Sequence, residues 1–215
     1  EAPGLVIRKP HQIPVWKDIY VQSAVPEKLG FLKVLADNLW WSWNSDAADL
    51  LRSLDPSLWD EDGHNPKLLL EKIDYKRLLV LEDDDEFLSE MKAIEDRFMA
   101  YIGRPKNDSD PSVAYFSMEF GIHQCLKIYS GGLGILAGDY LKEASDSNLN
   151  ITGVGLLYRF GYFKQKIGPR GEQLPIYESE DFSHLPIRPV KDAEGNQLTV
   201  SLAWPGRMVK IRVWE

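Results

Sequence analysis

The sequence holds a single cysteine, Cys125, among its 215 residues. No disulfide can form within the chain, and a reducing compartment is the expected setting. Positive charge is also scarce: 25 Lys and Arg stand against 33 Asp and Glu, for a formal net charge of −8. Such a surface offers no basic field to a phosphodiester backbone or an anionic bilayer, so neither nucleic acid nor membrane is expected as a partner. No uninterrupted apolar run approaches the roughly 18 residues of a membrane span. The start, EAPGLVIRKP, lacks the charged head and apolar stretch of a secretory signal, and a cytoplasmic location is expected. The four histidines, His11, His64, His123 and His184, have no metal-ligand spacing, and no metal is expected. Internal repeats and low-complexity tracts are missing too. The chain begins without an initiator methionine and stops inside the alternating pattern RMVKIRVWE, from which we expect a piece of a longer protein.

What is present divides the chain by period. Residues 1–25 read as a polar extension with a short strand, since Val15, Lys17, Ile19 and Val21 alternate with Trp16, Asp18, Tyr20 and Gln22. From Pro26 the spacing changes to three and four at Leu29, Leu32, Ala36, Leu39, Trp40 and Trp43, which predicts one helix ending near Asn44. HNPKLLLEKID predicts a helix with Asn65 as N-cap and Pro66 at its first position. Phe87, Met91, Ile94, Phe98 and Tyr101 line another, closing at Gly103. Residues 26–103 are thus a mainly helical region, with the acidic run Glu82 to Glu86 as a solvated helix start. RPKNDSDP, residues 104–111, reads as a loop or linker.

Residues 112–215 read as α/β. SVAYFS is an apolar run of the buried-strand type, a helix is expected at about 133–147, and ITGVGLLY, YFKQKI, LTVSLAW and MVKIRVW read as strands. Strand, helix, strand predicts a parallel pair joined by a right-handed crossover, with the later hairpins antiparallel and peripheral.

The stretch IYSGGLGILAGDYLKEASD, residues 128–146, is the candidate for chemistry. Gly131, Gly132 and Gly134 cluster at the mouth of the expected helix, although each glycine costs entropy on folding. One reading is a tight turn into a helix capped by Ser130. The other is an anion site, in which successive bare amides at a helix N-terminus meet a phosphate. A P-loop is disfavoured because Gly138 is followed by Asp139 and Tyr140 rather than Lys and Ser or Thr. Gly132, Gly134 and Ala137 fit a relaxed dinucleotide fingerprint, but residues 150–160 contain no carboxylate to take a ribose. Trp40, Trp41, Trp43 and Trp59 suit sugar stacking chemically, yet their helical spacing favours packing. Phe160, Tyr162 and Phe163 read as core aromatics of an amphipathic strand.

VAYFSMEFGIHQCLKIYSGGLGILAGDYLKEASDSNLNITGVGLLYRFGYFKQKI, residues 113–167, together with LADNLWWSWNSDAADLLRSLDPSLWDEDGHNP, residues 35–66, resembles the α-glucan (glycogen) phosphorylases of the bacterial and archaeal branch. The tryptophan cluster, the strand ending in Ser-Met-Glu-Phe, the Ser-Gly-Gly-Leu-Gly loop and Tyr-Arg-Phe-Gly-Tyr-Phe occur in the family's order. Residues 1–15 fall outside the resemblance and 185–215 match loosely. It implies a helical N-terminal region followed by part of the Rossmann-like N-terminal lobe of a two-lobed, GT-B type glycosyltransferase fold. It further implies phosphorolysis of α-1,4-glucan to glucose 1-phosphate with retained configuration.

Pyridoxal phosphate is the implied cofactor, and its attachment lysine belongs to a later region of the family that this chain does not reach. Lys127, Lys142 and Lys166 are not assigned that role. The implied partners are α-1,4-glucan, inorganic phosphate and the C-terminal lobe of the parent, with self-association left open. Carried onto this sequence, the amides of Gly131, Gly132 and Leu133 would bind the substrate phosphate, with Glu119, Tyr158 and Gln165 as pocket candidates. Catalytic side chains are not assigned, and the chain alone is expected to be inactive. Ile135 departs from the arginine of animal-type members. Two other readings of the same fold are a non-catalytic carbohydrate-binding or assembly module and one lobe of a nucleotide-sugar glucan synthase.

Overall fold

The computed structural model describes residues 24–105 and 111–215. The strand expected at residues 15–22 and the middle of the 104–111 loop lie outside the described residues.

The helical region is built from short helices with side-chain caps. The single helix expected from Pro26 to Asn44 is instead three pieces: a 3₁₀ turn Glu27–Leu29, α1 Phe31–Ala36 and a 3₁₀ turn Leu39–Trp43. Asn38 causes the break. Its backbone is extended, and its side chain accepts from the Trp40 amide, so the polypeptide restarts there rather than continuing. The spacing of the apolar residues is kept across the break, which is why period alone does not reveal it.

Then follow α2 Ser45–Leu54, α3 Pro56–Glu61, α4 Pro66–Lys72, α5 Tyr75–Glu82 and α6 Asp85–Ile102. Asp55, Asn65, Asp74 and Asp84 each accept amide hydrogen bonds as N-caps, and prolines occupy the first positions of α3 and α4. Asp85 and Glu86 occupy the first turn of α6, at the positive end of its dipole, and α6 closes at Gly103. The apolar faces converge on one core containing Leu32, Leu50, Leu51, Leu54, Leu69, Leu78 and Phe98. Trp40 meets Phe98 edge-on at 5.4 Å, and Trp41 meets Trp59 edge-on at 5.6 Å.

Beyond residue 111 the chain is a mixture of helix and small sheets. β1 Val113–Phe116 and β2 Ile151–Val154 pair in parallel, as strand-helix-strand requires, with Val113 opposite Ile151 and Phe116 opposite Val154. The connection is α7, Gly132–Asp146. β3 Lys164–Ile167 and β4 Gln173–Ile176 form one antiparallel pair, and β5 Thr199–Trp204 and β6 Arg207–Arg212 another. β1 is not buried as its composition suggests. Among the described residues its sheet has two strands, and Phe116 remains 73% exposed. No described helix is long and apolar enough to cross a membrane.

Candidate functional site

α7 starts at Gly132, and its N-cap is Gly131 with φ +146°, a conformation that a side chain at that position would strain. Ser130 is therefore not the cap, and no side chain caps this helix. The first helical bond runs from the Ile135 amide to the Gly131 carbonyl at 3.1 Å. Among the described residues, the amides of Gly131, Gly132 and Leu133 donate to no protein acceptor. Unsatisfied donors and the helix dipole together favour an anion at such an end.

The glycines have separate reasons to be glycine. A Cβ at Gly134 would lie 2.5 Å from Tyr129 Cβ, and one at Gly138 would lie 2.2 Å from the Gly121 carbonyl oxygen. Both are close approaches of α7 to the segment after β1. Gly132 differs: its φ is not positive, and a Cβ there would meet nothing within 4 Å. Neither backbone geometry nor internal packing explains the missing side chain, and the space beside its amide is open.

Glu119 braces the loop. Its carboxylate accepts from the Ser130 amide at 3.3 Å and from the Ser130 hydroxyl at 3.1 Å, and Ser117 Oγ accepts from the Glu119 amide at 3.3 Å. A carboxylate beside the loop opposes an anion electrostatically, so its contribution is geometric: it fixes Ser130, the residue before the two glycines. Any positive charge for a bound anion has to come from another quarter.

A cavity of about 190 Å³ opens beside this brace and is lined by Glu119, Lys127, Ser130, Tyr158, Phe160 and Tyr162, among others. Tyr158 donates from its phenol to the Met118 carbonyl at 3.1 Å. Glu119 and Tyr158 are thus brought together, whereas Gln165 stands exposed on β3 opposite Pro175 and does not line this cavity. Phe160 and Tyr162 are not core aromatics, being 54% and 61% exposed. Residues 155–163 form no strand, so there is no alternating face to bury them. The rings are left as cavity walls. Lys127 also lines the cavity, and its ammonium pairs with Glu180 at 2.8 Å.

The tryptophans are packing residues. Trp40, Trp41 and Trp59 are buried, and half-buried Trp43 donates its indole N–H to Asp146 at 3.1 Å. His123 lies edge-on to Trp41 at 4.6 Å. Burial holds His123 down at about 4, with lesser contributions from His64 and Lys142. Burial pushes the Cys125 thiol up to about 12, which makes it inert. Among the described residues no group of three or more His, Cys, Asp or Glu is placed to hold a metal ion.

Residues 25–126 match the family described as "Protein of unknown function (DUF3417)". The chain is similar to a glycogen phosphorylase of Mycobacterium tuberculosis, with 40% identity over 207 residues, covering 90% of this chain and 24% of that protein. A maltodextrin phosphorylase of Thermococcus litoralis is 38% identical over 202 residues, covering 91% of this chain and 24% of that protein. A glycogen phosphorylase of Aquifex aeolicus is 39% identical over 184 residues, covering 84% of this chain and 26% of that protein. The chain is homologous to proteins of these names from bacteria and archaea, and it spans about a quarter of their length.

Proposed function

We propose that this chain is the N-terminal part of an α-glucan phosphorylase, and that its glycine loop binds the inorganic phosphate that splits the glucan. The observation that carries the reading is Gly132: an open space beside an unpaired amide, at a position where neither φ nor neighbours call for glycine. Phosphate oxygens accept from the amides of Gly131, Gly132 and Leu133, and the dipole of α7 adds a fixed partial charge. Donors fixed in advance hold the phosphate without reorganising as charge moves during transfer. Glu119 keeps Ser130 and the loop in register, and Tyr158, Phe160 and Tyr162 form the neighbouring wall, where a sugar can stack.

The rest of the cleft belongs to the remainder of a longer parent, which we read as completing a GT-B type lobe and supplying the second. The exposed apolar side chains around the parallel pair support this, since parallel sheets are normally covered on both faces. Pyridoxal phosphate, the implied cofactor, provides acid–base chemistry through its own phosphate when bound. Lys127 is tied to Glu180, Lys142 to Asp139, and Lys166 stands exposed on β3. None of them sits as a cofactor lysine should, so we place the attachment in the remainder of the parent. We place the enzyme in the cytoplasm.

The test is phosphorolysis by the parent protein loaded with cofactor. Release of glucose 1-phosphate from maltooligosaccharide and phosphate, lost in Gly132→Val, is the expected result. Absence of phosphorolysis, or dependence on a nucleotide-activated glucose, contradicts the assignment.

A further inference from the structure

We infer that the helical region is the mount for α7, and that Arg104 is a positioning residue which sets where the glycine loop lies. The inference rests on the phosphate reading of that loop.

α7 packs on the strand pair, where Tyr140 meets Tyr115 of β1 edge-on at 5.4 Å, and two further supports lead back to the helical region. The first grips its C-terminal end. Arg104 donates from both terminal nitrogens to the carbonyls of Asp146 and Ser145, each at 2.6 Å, where a cation complements the negative end of the helix dipole. The guanidinium is itself held, donating from Nε to the Tyr101 carbonyl at 3.0 Å and lying 3.9 Å from the centroid of the Tyr101 ring. The Tyr101 phenol is 2.7 Å from both Asp146 Oδ1 and Ser145 Oγ, so it donates to the carboxylate and accepts from the hydroxyl. Desolvation raises the Tyr101 phenol above its ordinary value, which keeps that donor protonated. Trp43 adds its indole N–H to the same carboxylate oxygen. Trp43 and Tyr101 of the helical region, with Arg104 just after its last helix, thus converge on the last two residues of α7.

The second support is a backbone seam. The Gly121 amide donates to the Gly134 carbonyl at 2.7 Å, and Gly138 packs against Gly121 without room for a side chain. Gly121 belongs to a segment seated in the helical region: His123 abuts Trp41, Gln124 donates to the Gly63 carbonyl at 3.3 Å, and Cys125 lies inside the helical core. The matched family of unknown function spans these same parts and stops at Leu126, just before the glycine loop.

The geometry makes α7 a lever. Gly138 lies about 9 Å along the axis from Gly132 and about 12 Å from Asp146. The seam also holds Gly134, about 3 Å along the axis from Gly132, so a displacement at the clamp reaches the first turn reduced in size. The loop amides that meet phosphate are at that first turn.

The test uses the full-length parent with cofactor, comparing Arg104→Ala, Arg104→Lys and Tyr101→Phe with Gly132→Ala as the control for the loop. Michaelis constants for phosphate and for glucan are read separately, together with thermal midpoints. Arg104→Ala should raise the phosphate constant roughly three- to tenfold, as expected for a misplacement well under about 1 Å, and leave the glucan constant within about twofold. Arg104→Lys, which can still meet one carbonyl, should recover part of this. Tyr101→Phe keeps the ring and should show a smaller rise in the same constant, which keeps the inference testable if Arg104→Ala fails to fold.

If the Arg104 and Tyr101 variants lower only the thermal midpoint, or raise both constants alike, while Gly132→Ala raises the phosphate constant, the mount is wrong and the loop reading stands. If Gly132→Ala also leaves the phosphate constant unchanged, both are wrong.

Discussion

The helical region and the α/β region use apolar residues in opposite ways. In the first, Leu50, Leu51, Leu54 and Phe98 are almost wholly withdrawn from solvent, and capped helices close around them. In the second, Phe116, Met118, Leu133 and Leu136 are 66–73% exposed. Composition does not account for the difference. Short capped helices can complete a core from neighbours close in sequence, whereas a parallel strand pair needs further strands beside it and layers over it. The α/β region meets the helical region at Cys125, inside the helical core, and at the end of α7. In the proposed mount, the helical layer is the support and the glycine loop is carried on it.

That contrast can be broken by truncation. Phe98→Ala should cost about 3–5 kcal/mol of folding stability, because a buried ring leaves a cavity. Leu136→Ala, at an exposed site, should stay within about 0.5 kcal/mol. Denaturant unfolding of the two variants checks this, and equal costs would remove the distinction between the regions.

A finer test sets two glycines of α7 against each other. Gly138→Ala forces a methyl against the Gly121 carbonyl and should destabilise by about 1–3 kcal/mol. Gly132→Ala enters open space and should be neutral or stabilising by about 0.4–1 kcal/mol through the unfolded chain. A substitution that leaves stability intact and still impairs phosphate use would mark Gly132 as functional. Similar destabilisation by both would make the whole cluster structural.

The seam between the regions has a pH signature. His123 is held at about 4 when folded, against an ordinary 6.5. Between those values the unfolded chain binds the proton and the folded chain does not. Its contribution to stability is therefore complete above about 6.5 and is lost as pH falls towards 4. Thermal midpoints measured across this window should decline, and His123→Phe should flatten that decline. An unchanged slope in the variant would remove His123 from the seam's energetics.

The smallest effect expected is at Cys125, whose thiol is buried in the helical core and pushed up to about 12. It should resist a thiol reagent at neutral pH until the protein unfolds, and rapid labelling of the native protein would show that the seam opens.

Much of the helical region was legible because its signals are local. Asn65 followed by Pro66 announces α4, and Phe87 to Tyr101 with Gly103 announces α6. The break at Asn38 was not, since a cap inside a continuous apolar spacing changes the path without changing the period. The parallel pairing of β1 with β2 follows from the intervening helix. The exposure of β1 could not be read from its residues, because burial of a strand is decided by what lies beside it.

In the candidate site, the glycine cluster was visible, but its division of labour was not. Gly134 and Gly138 are explained by contacts with Tyr129 and Gly121, which lie at separations no spacing rule encodes. Phe160 and Tyr162 look like core residues in sequence and become cavity walls because their segment forms no strand. Arg104 lies in a stretch of polar loop composition, and only the fold brings it to the end of α7.

The most direct measurement is a crystal structure of the full-length parent with phosphate bound. A phosphate oxygen about 3 Å from the amide nitrogens of Gly132 and Leu133 is the predicted result. Phosphate bound elsewhere, with those amides facing water, would contradict it.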